Sequence, residues 1–470
     1  MLLVIVVFYA AILWTARRFR RRIETLRDFF LAGRSLGAFP VALCFAASWF
    51  GAGSTIASMT LFHHKGWAGA WELAIPSALS CALITFAFSR RVARQESLSQ
   101  PEAVERHYGR VGRLGLALVI LMAVSTFLGS QLVAASMLFQ SVLGLDPTAA
   151  TLIFSALVVS YVMMGGFFTV VITDMAQMAM IVLALGILLA YCLGASPDPG
   201  AALGGSVTWA GLGEFGRPWG YHLALTAAFV MAWSVAPEMW QRMSATRNEG
   251  LAFRGALGAT LLLIGLFAMV ASIGILSAQI IPNSERVLMD LAQKLPHPLL
   301  GGLALAGVLA AISSTMDSSL NVGSLTLTRD IYQGFIRPNA STRELLLASR
   351  LSTALVCAPA IALALKFQNI IQILWISADI YASAMFVPIV GILYLKHPPR
   401  LAGLLAMGAG GAMMALNALS QYGLIAMPAQ WPGWPYATLL GVGASLTGFA
   451  IGWAWTALKK PPAVSPSAPA

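Results

Sequence analysis

Apolar residues in this chain fall into long blocks separated by short polar stretches. Most blocks are about 18–27 residues long, enough to cross a hydrocarbon core of roughly 30 Å at about 1.5 Å per helical residue. The pattern predicts thirteen helical spans, at roughly 2–16, 38–62, 69–89, 114–143, 149–167, 171–194, 223–241, 255–281, 298–321, 351–367, 370–395, 402–421 and 435–457. The boundary between the fifth and sixth runs through Met164-Gly165-Gly166-Phe167. The expected fold class is an all-α polytopic membrane protein with the lipid bilayer as its solvent.

Composition agrees, since 58% of residues are apolar and 10% charged, against about 45–50% and about 25% in soluble domains. Positive charge is distributed unevenly among the loops. One alternating set carries Arg17–Arg27, Arg90–Arg113, Arg242, Arg247, Arg254, Arg329, Arg337, Arg343, Arg350, Lys396, Arg400, Lys459 and Lys460, whereas the other holds Lys65, Arg217, Arg286, Lys294 and Lys366. The positive-inside rule makes the first set cytoplasmic, with the N-terminus outside, the C-terminus inside, and the plasma (cell inner) membrane as the location. The net charge of +11 is then a topology signal, and no nucleic-acid partner is expected. A cleaved signal peptide is not expected, because the first basic cluster follows the apolar run. Residues 1–460 read as one transmembrane domain and 461–470, rich in Pro, Ser and Ala, as a disordered cytoplasmic tail. Cys44, Cys81, Cys192 and Cys357 lie inside spans without CxxC spacing, and the histidines show no HExxH pattern, so neither a metalloenzyme nor any other enzyme is expected.

Five acids fall within or beside the apolar blocks: Glu72, Asp174, Glu238, Asp317 and Asp379. A carboxylate at membrane depth costs roughly 2.5–3.5 kcal/mol on insertion scales, so each needs a partner or an aqueous cavity. Glu72 and Glu238 read equally well as interface residues. Asp317 sits in Ser313-Ser314-Thr315-Met316-Asp317-Ser318-Ser319, where Ser314, Asp317 and Ser318 share a helix face at i, i+3 and i+4. This stripe of hydroxyls and carboxylate suits an alkali cation. Two spans carry breakers, Ser48-Trp49-Phe50-Gly51-Ala52-Gly53-Ser54 in the second and Ala236-Pro237-Glu238 in the seventh. Backbone groups freed there are tolerated only where protein or water receives them. If spans two to six and seven to eleven form two five-helix units, about 38–194 and 223–395, their odd number makes the units inverted and puts a broken helix first in each.

Several segments resemble the sodium/solute symporter family in sequence and order: Asp28-Phe29-Phe30-Leu31-Ala32-Gly33-Arg34-Ser35-Leu36-Gly37, Gly165-Gly166 with Thr173-Asp174-Met175-Ala176-Gln177, Gln241-Arg242, and Ala310 to Ser319 running into Arg329-Asp330-Ile331-Tyr332. The resemblance implies a LeuT-type inverted repeat of five plus five helices with extra N- and C-terminal helices. It implies sodium as coupling ion and a small organic solute as cargo. The family's principal sodium site maps onto carbonyls of Ala47, Phe50 and Ala311 and hydroxyls of Ser314 and Thr315. A second cation site maps onto Asp174, Ser314, Asp317 and Ser318. The middle helix-eight position, a hydroxyl in relatives with this site, is a carboxylate here, so the acidic pair would bind a cation more strongly or share a proton. Local motifs, including Ser377-Ala378-Asp379 and Arg337-Pro338-Asn339-Ala340-Ser341, most resemble the high-affinity choline transporter branch. Choline or a related ammonium compound is the first expectation for the solute, with Trp49, Phe127, Trp233, Trp240 and Tyr381 as aromatic walls. An amino acid such as proline is the alternative, and a transporter-like membrane solute sensor is a second.

Overall fold

A computed structural model describes residues 1–19, 25–204, 218–367, 369–421, 425–426 and 431–459. Among them the regular structure is helical, apart from one isolated bridge between Leu36 and Thr246. Eight helices are long and apolar enough to cross a membrane, or up to ten if each of two bent pairs is one span.

The elements used below are α1 (Leu2–Phe19), α2 (Ala38–Trp49), α3 (Gly53–Trp71), α4 (Ala74–Leu83), α5 (Gln100–Leu143), α6 (Pro147–Ala195), α7 (Trp219–Ser234), α8 (Pro237–Ser244), α9 (Glu249–Ile280), α10 (Pro298–Leu325), α11 (Thr342–Lys366), α12 (Ile370–Tyr394), α13 (Arg400–Gln421) and α14 (Tyr436–Leu458). Helix α10 is the central post. It packs against α6, α5 and α2, and its polar run from Ser313 to Ser319 is fully buried. The last two helices form a hairpin against the π-helical turn Tyr381–Phe386 of α12.

The fifth-to-sixth boundary expected at Met164–Phe167 lies inside one continuous helical stretch, α6, interrupted in its backbone only at Gly166 (φ 56°, ψ −166°). A Cβ at Gly166 would lie 2.7 Å from the Phe29 carbonyl oxygen. Positive φ and close backbone approach therefore both require glycine there.

The breaks in the second and seventh expected spans are present. Helices α2 and α3 meet at 69°, and α7 and α8 at 44°. At the first break the Ala52 amide, released from the helix ladder, donates to Gln131 Oε1 of α5 at 2.9 Å. Gly51 fits because a Cβ there would lie 2.6 Å from Thr315 Oγ1 and 2.7 Å from Gln131 Oε1. At the second break Pro237 occupies the first turn of α8, where its missing N–H is no loss.

One part of the loop reading needs correction. Arg242, counted among cytoplasmic loop charges, is fully buried in the last turn of α8. Arg113, likewise counted, is 7% exposed and paired within α5 and across to Asp330. Both signals were misread because an arginine near a helix end looks the same in sequence whether it meets water or a buried acid. Arg20, Arg21, Arg22, Arg217, Lys460 and the 461–470 tail lie outside the described residues.

Candidate ion and solute sites

The break between α2 and α3 sits against α10, and four of the five oxygens assigned to the principal sodium site meet there. Ser314 Oγ donates to the Ala47 carbonyl of α2 at 2.9 Å and to Ala311 at 3.0 Å. Thr315 Oγ1 also reaches the Ala311 carbonyl, at 3.0 Å. Phe50, the fifth, is fully buried as the C-cap of α2 with non-helical ψ of 59°. Clustered uncharged oxygens are the donor set a hard monovalent cation takes. The hydroxyls now spend their protons on carbonyls that an ion would draw to itself. The residues therefore fit sodium.

The acidic pair is also brought together. Asp174 on α6 and Asp317 on α10 are fully buried; Cys44 Sγ donates to Asp174 Oδ2 at 2.9 Å and Tyr161 OH to Asp317 Oδ2 at 3.2 Å. Ser48 and Ser318 hydroxyls are 2.7 Å apart, and Ser318 Oγ donates to the Ser314 carbonyl at 2.8 Å. Between them stands a cation that the sequence reading did not place there. The Arg242 guanidinium donates to Ser48 Oγ and Ser318 Oγ. It pairs with Asp174 Oδ2 at 3.4 Å, and its Nε and Nη1 reach the carbonyls of Cys44 at 3.2 Å and Glu238 at 2.9 Å. Two acids in facing helices call for a nearby positive charge or a shared proton, and that need was the available signal for Arg242.

Beside the break lies a narrow cavity of about 40 Å³. Ser48, Trp49, Phe127, Gln131, Trp233 and Glu238 are among its walls. Trp233 is the centre of the aromatic group, with ring centroids 4.9 Å from Phe127, 5.6 Å from Tyr381, 5.9 Å from Phe229 and 6.4 Å from Trp49. Trp240 is placed differently and lines two neighbouring crevices, one with Met243 and Leu393 and one with Gln241 and Val322. Glu238 is buried against the cavity, accepting from Ser319 Oγ of α10 at 2.7 Å, which removes its reading as an interface residue. Glu72 pairs with Lys65 at 2.8 Å. Asp379 accepts from Ser383, one turn along its own helix, at 2.9 Å.

Broken helices paired around a buried polar post define a polytopic transporter of the LeuT-like class. A sodium-coupled sialic acid symporter in a substrate-bound outward-open state has the same fold, with a TM-score of 0.80 over 96% of this chain and 97% of that one at 16% identity. Mhp1, a nucleobase-cation-symport-1 family transporter, is more distant at a TM-score of 0.56, 14% identity and coverage of 92% and 95%. The chain belongs to the Sodium:solute symporter family, whose pattern it matches over residues 29–410. It is 29% identical to a sodium/proline symporter of Haemophilus influenzae, over 73% of this chain and 72% of the relative. It is 28% identical to the high-affinity proline transporter PutP of Bacillus subtilis, over 84% and 87%. The protein is a sodium-coupled solute symporter of the membrane, not an enzyme, and sodium is its coupling ion. These relatives are proline symporters, not choline transporters, so similarity along the chain favours the amino-acid alternative over choline.

Proposed function

We propose that the protein imports a small proline-like amino acid together with sodium by alternating access. The observation that carries this reading is the double use of one broken segment: Ala47 at the end of α2 accepts from Ser314, while its neighbours Ser48, Trp49 and Gly51 line the cavity. Sodium held by Ala47, Phe50, Ala311, Ser314 and Thr315 would tie α2 to α10 and so shape the solute cavity. Inward opening separates α2 from α10 and dismantles the ion site, and this differential affinity between two states is what coupling requires. The membrane potential adds about 2.3 kcal/mol per charge per 100 mV. The proline-symporter names of the relatives support the amino-acid reading.

At the second cluster, Arg242 supplies one built-in positive charge against Asp174 and Asp317, which leaves one carboxylate charge for a second cation or a proton, with Ser318 as the shared hydroxyl. The topology that accompanies this reading has thirteen crossings in one domain, the N-terminus outside and the C-terminus in the cytoplasm, with the two five-helix units at about 38–194 and 223–395.

The test is uptake of labelled L-proline into proteoliposomes under an imposed inward sodium gradient. Accumulation above the outside concentration is expected with sodium and not with potassium. Uptake indifferent to the gradient would overturn the coupling, and binding without uptake would favour a sensor.

A further inference from the structure

Glu238 is the one charged residue in the wall of the solute cavity among the described residues. It is 3% exposed, and its side chain has no ion-pair partner among the described residues. Its nearest cation, Arg242, is committed elsewhere, to Ser48, Ser318, Asp174 and the Cys44 carbonyl, and touches Glu238 only at the backbone oxygen. Ser319 supplies one hydrogen bond to Glu238 Oε1. A buried carboxylate held by Ser319 and its own backbone amide, with Arg242 acting on it only through space, still lacks an ion-pair partner. As the second residue of α8 it gains from the helix N-terminus, yet that gain does not require it to line a cavity.

The surroundings indicate what completes the site. Trp233, 7% exposed, sits among the rings of Trp49, Phe127, Phe229 and Tyr381. The indole Nε1 of Trp233 and the Tyr381 hydroxyl are buried with no hydrogen-bond partner. Aromatic faces attract cations, and a carboxylate forms a charge-assisted hydrogen bond with an N–H cation. No lysine or arginine lines the same cavity to neutralise Glu238.

We propose that the transported solute carries a positively charged nitrogen, seated between the Glu238 carboxylate and the rings of Trp233 and Trp49, and that Glu238 selects the solute class. Secondary and quaternary ammonium compounds fit; neutral sugars and anions without a cationic nitrogen do not. The contact also supplies a coupling route. The solute's nitrogen draws on Glu238, Glu238 is bonded to Ser319, and Ser319 lies one turn from Ser314 and Thr315 on α10. The inference deepens the symporter reading and rests on it for the word solute.

The experiment measures ligand-induced thermal shifts and titration calorimetry on the purified full chain in detergent with sodium present. The probes are L-proline, choline, D-glucose and N-acetylneuraminate. L-Proline or choline is expected to bind, and the sugar and the sialic acid are not. Glu238→Gln, which keeps the shape and removes the charge, should weaken the bound ammonium probe by tenfold or more, and Glu238→Asp by less. The sodium-dependent shift in the same samples reports whether each variant is folded. If Glu238→Gln does not fold, the ratio of ammonium affinities between Glu238→Asp and the parent decides, and equality overturns the proposal. It is also overturned if neither ammonium probe binds the parent, if glucose or N-acetylneuraminate binds as tightly, or if Glu238→Gln keeps the parent's affinity. A flat result in gradient-driven uptake would instead defeat the symporter reading and leave ammonium binding at Glu238 standing.

Discussion

Ser314 Oγ touches carbonyls from two different helices, Ala47 and Ala311, so it straps α2 to α10 at the proposed sodium site. Thr315 lies against Gly51 so closely that a methyl at that glycine would displace its hydroxyl. Ser314→Ala and Thr315→Ala should each raise the sodium concentration for half-maximal uptake by roughly tenfold, about 1.4 kcal/mol, with solute affinity falling through linkage. Uptake measured across sodium concentration checks this; unchanged sodium dependence in both variants would refute the assigned site. The polar stripe of α10 was legible in the sequence because hydroxyls at helical spacing beside a carboxylate stand out at membrane depth, whereas the assignment of Ser314 and Thr315 to sodium came from the family resemblance. Arg242 was not legible, since a guanidinium's partners lie on three other segments of the chain and leave no mark on its neighbours in sequence.

At the scale of elements, breakage and locking are set by different chemistry. Gly51 and Pro237 interrupt helices locally, which is why both breaks could be read from the sequence. The lock between α5 and the π-helical continuation of α10, Thr326–Ile336, is a tertiary matter. Arg113 holds Asp330 at 3.0 Å and Glu105 at 2.7 Å, and Ser99 Oγ donates to Asp330 at 2.7 Å. Removing one member of a buried pair leaves an uncompensated charge at a cost of about 3–5 kcal/mol. Arg113→Ala should therefore lower the detergent unfolding temperature sharply, and adding Asp330→Ala should recover part of the loss. Additive losses in the double variant would show that the pair is not coupled.

For the whole molecule, orientation is the remaining prediction. Arg343 and Glu285 both have exposed side chains, so single cysteines there should leave the fold intact once the four buried native cysteines are replaced. An impermeant reagent applied to cells should label the Glu285 position and spare the Arg343 position; the reverse pattern would invert the topology. The sequence by itself determined that this is an all-α membrane protein with two interrupted helices and a hydroxyl-rich post. Span length, apolar run and helix breakage are local properties, and bilayer insertion depends on little else. Only the tertiary structure decided that Asp174, Asp317 and Arg242 share one cluster, that Trp240 turns away from the aromatic group around Trp233, and that Glu238 lines a cavity instead of an interface. Those outcomes depend on which face of each helix meets which neighbour, and the hydrophobic pattern of a helix surrounded by apolar partners on all sides does not record it.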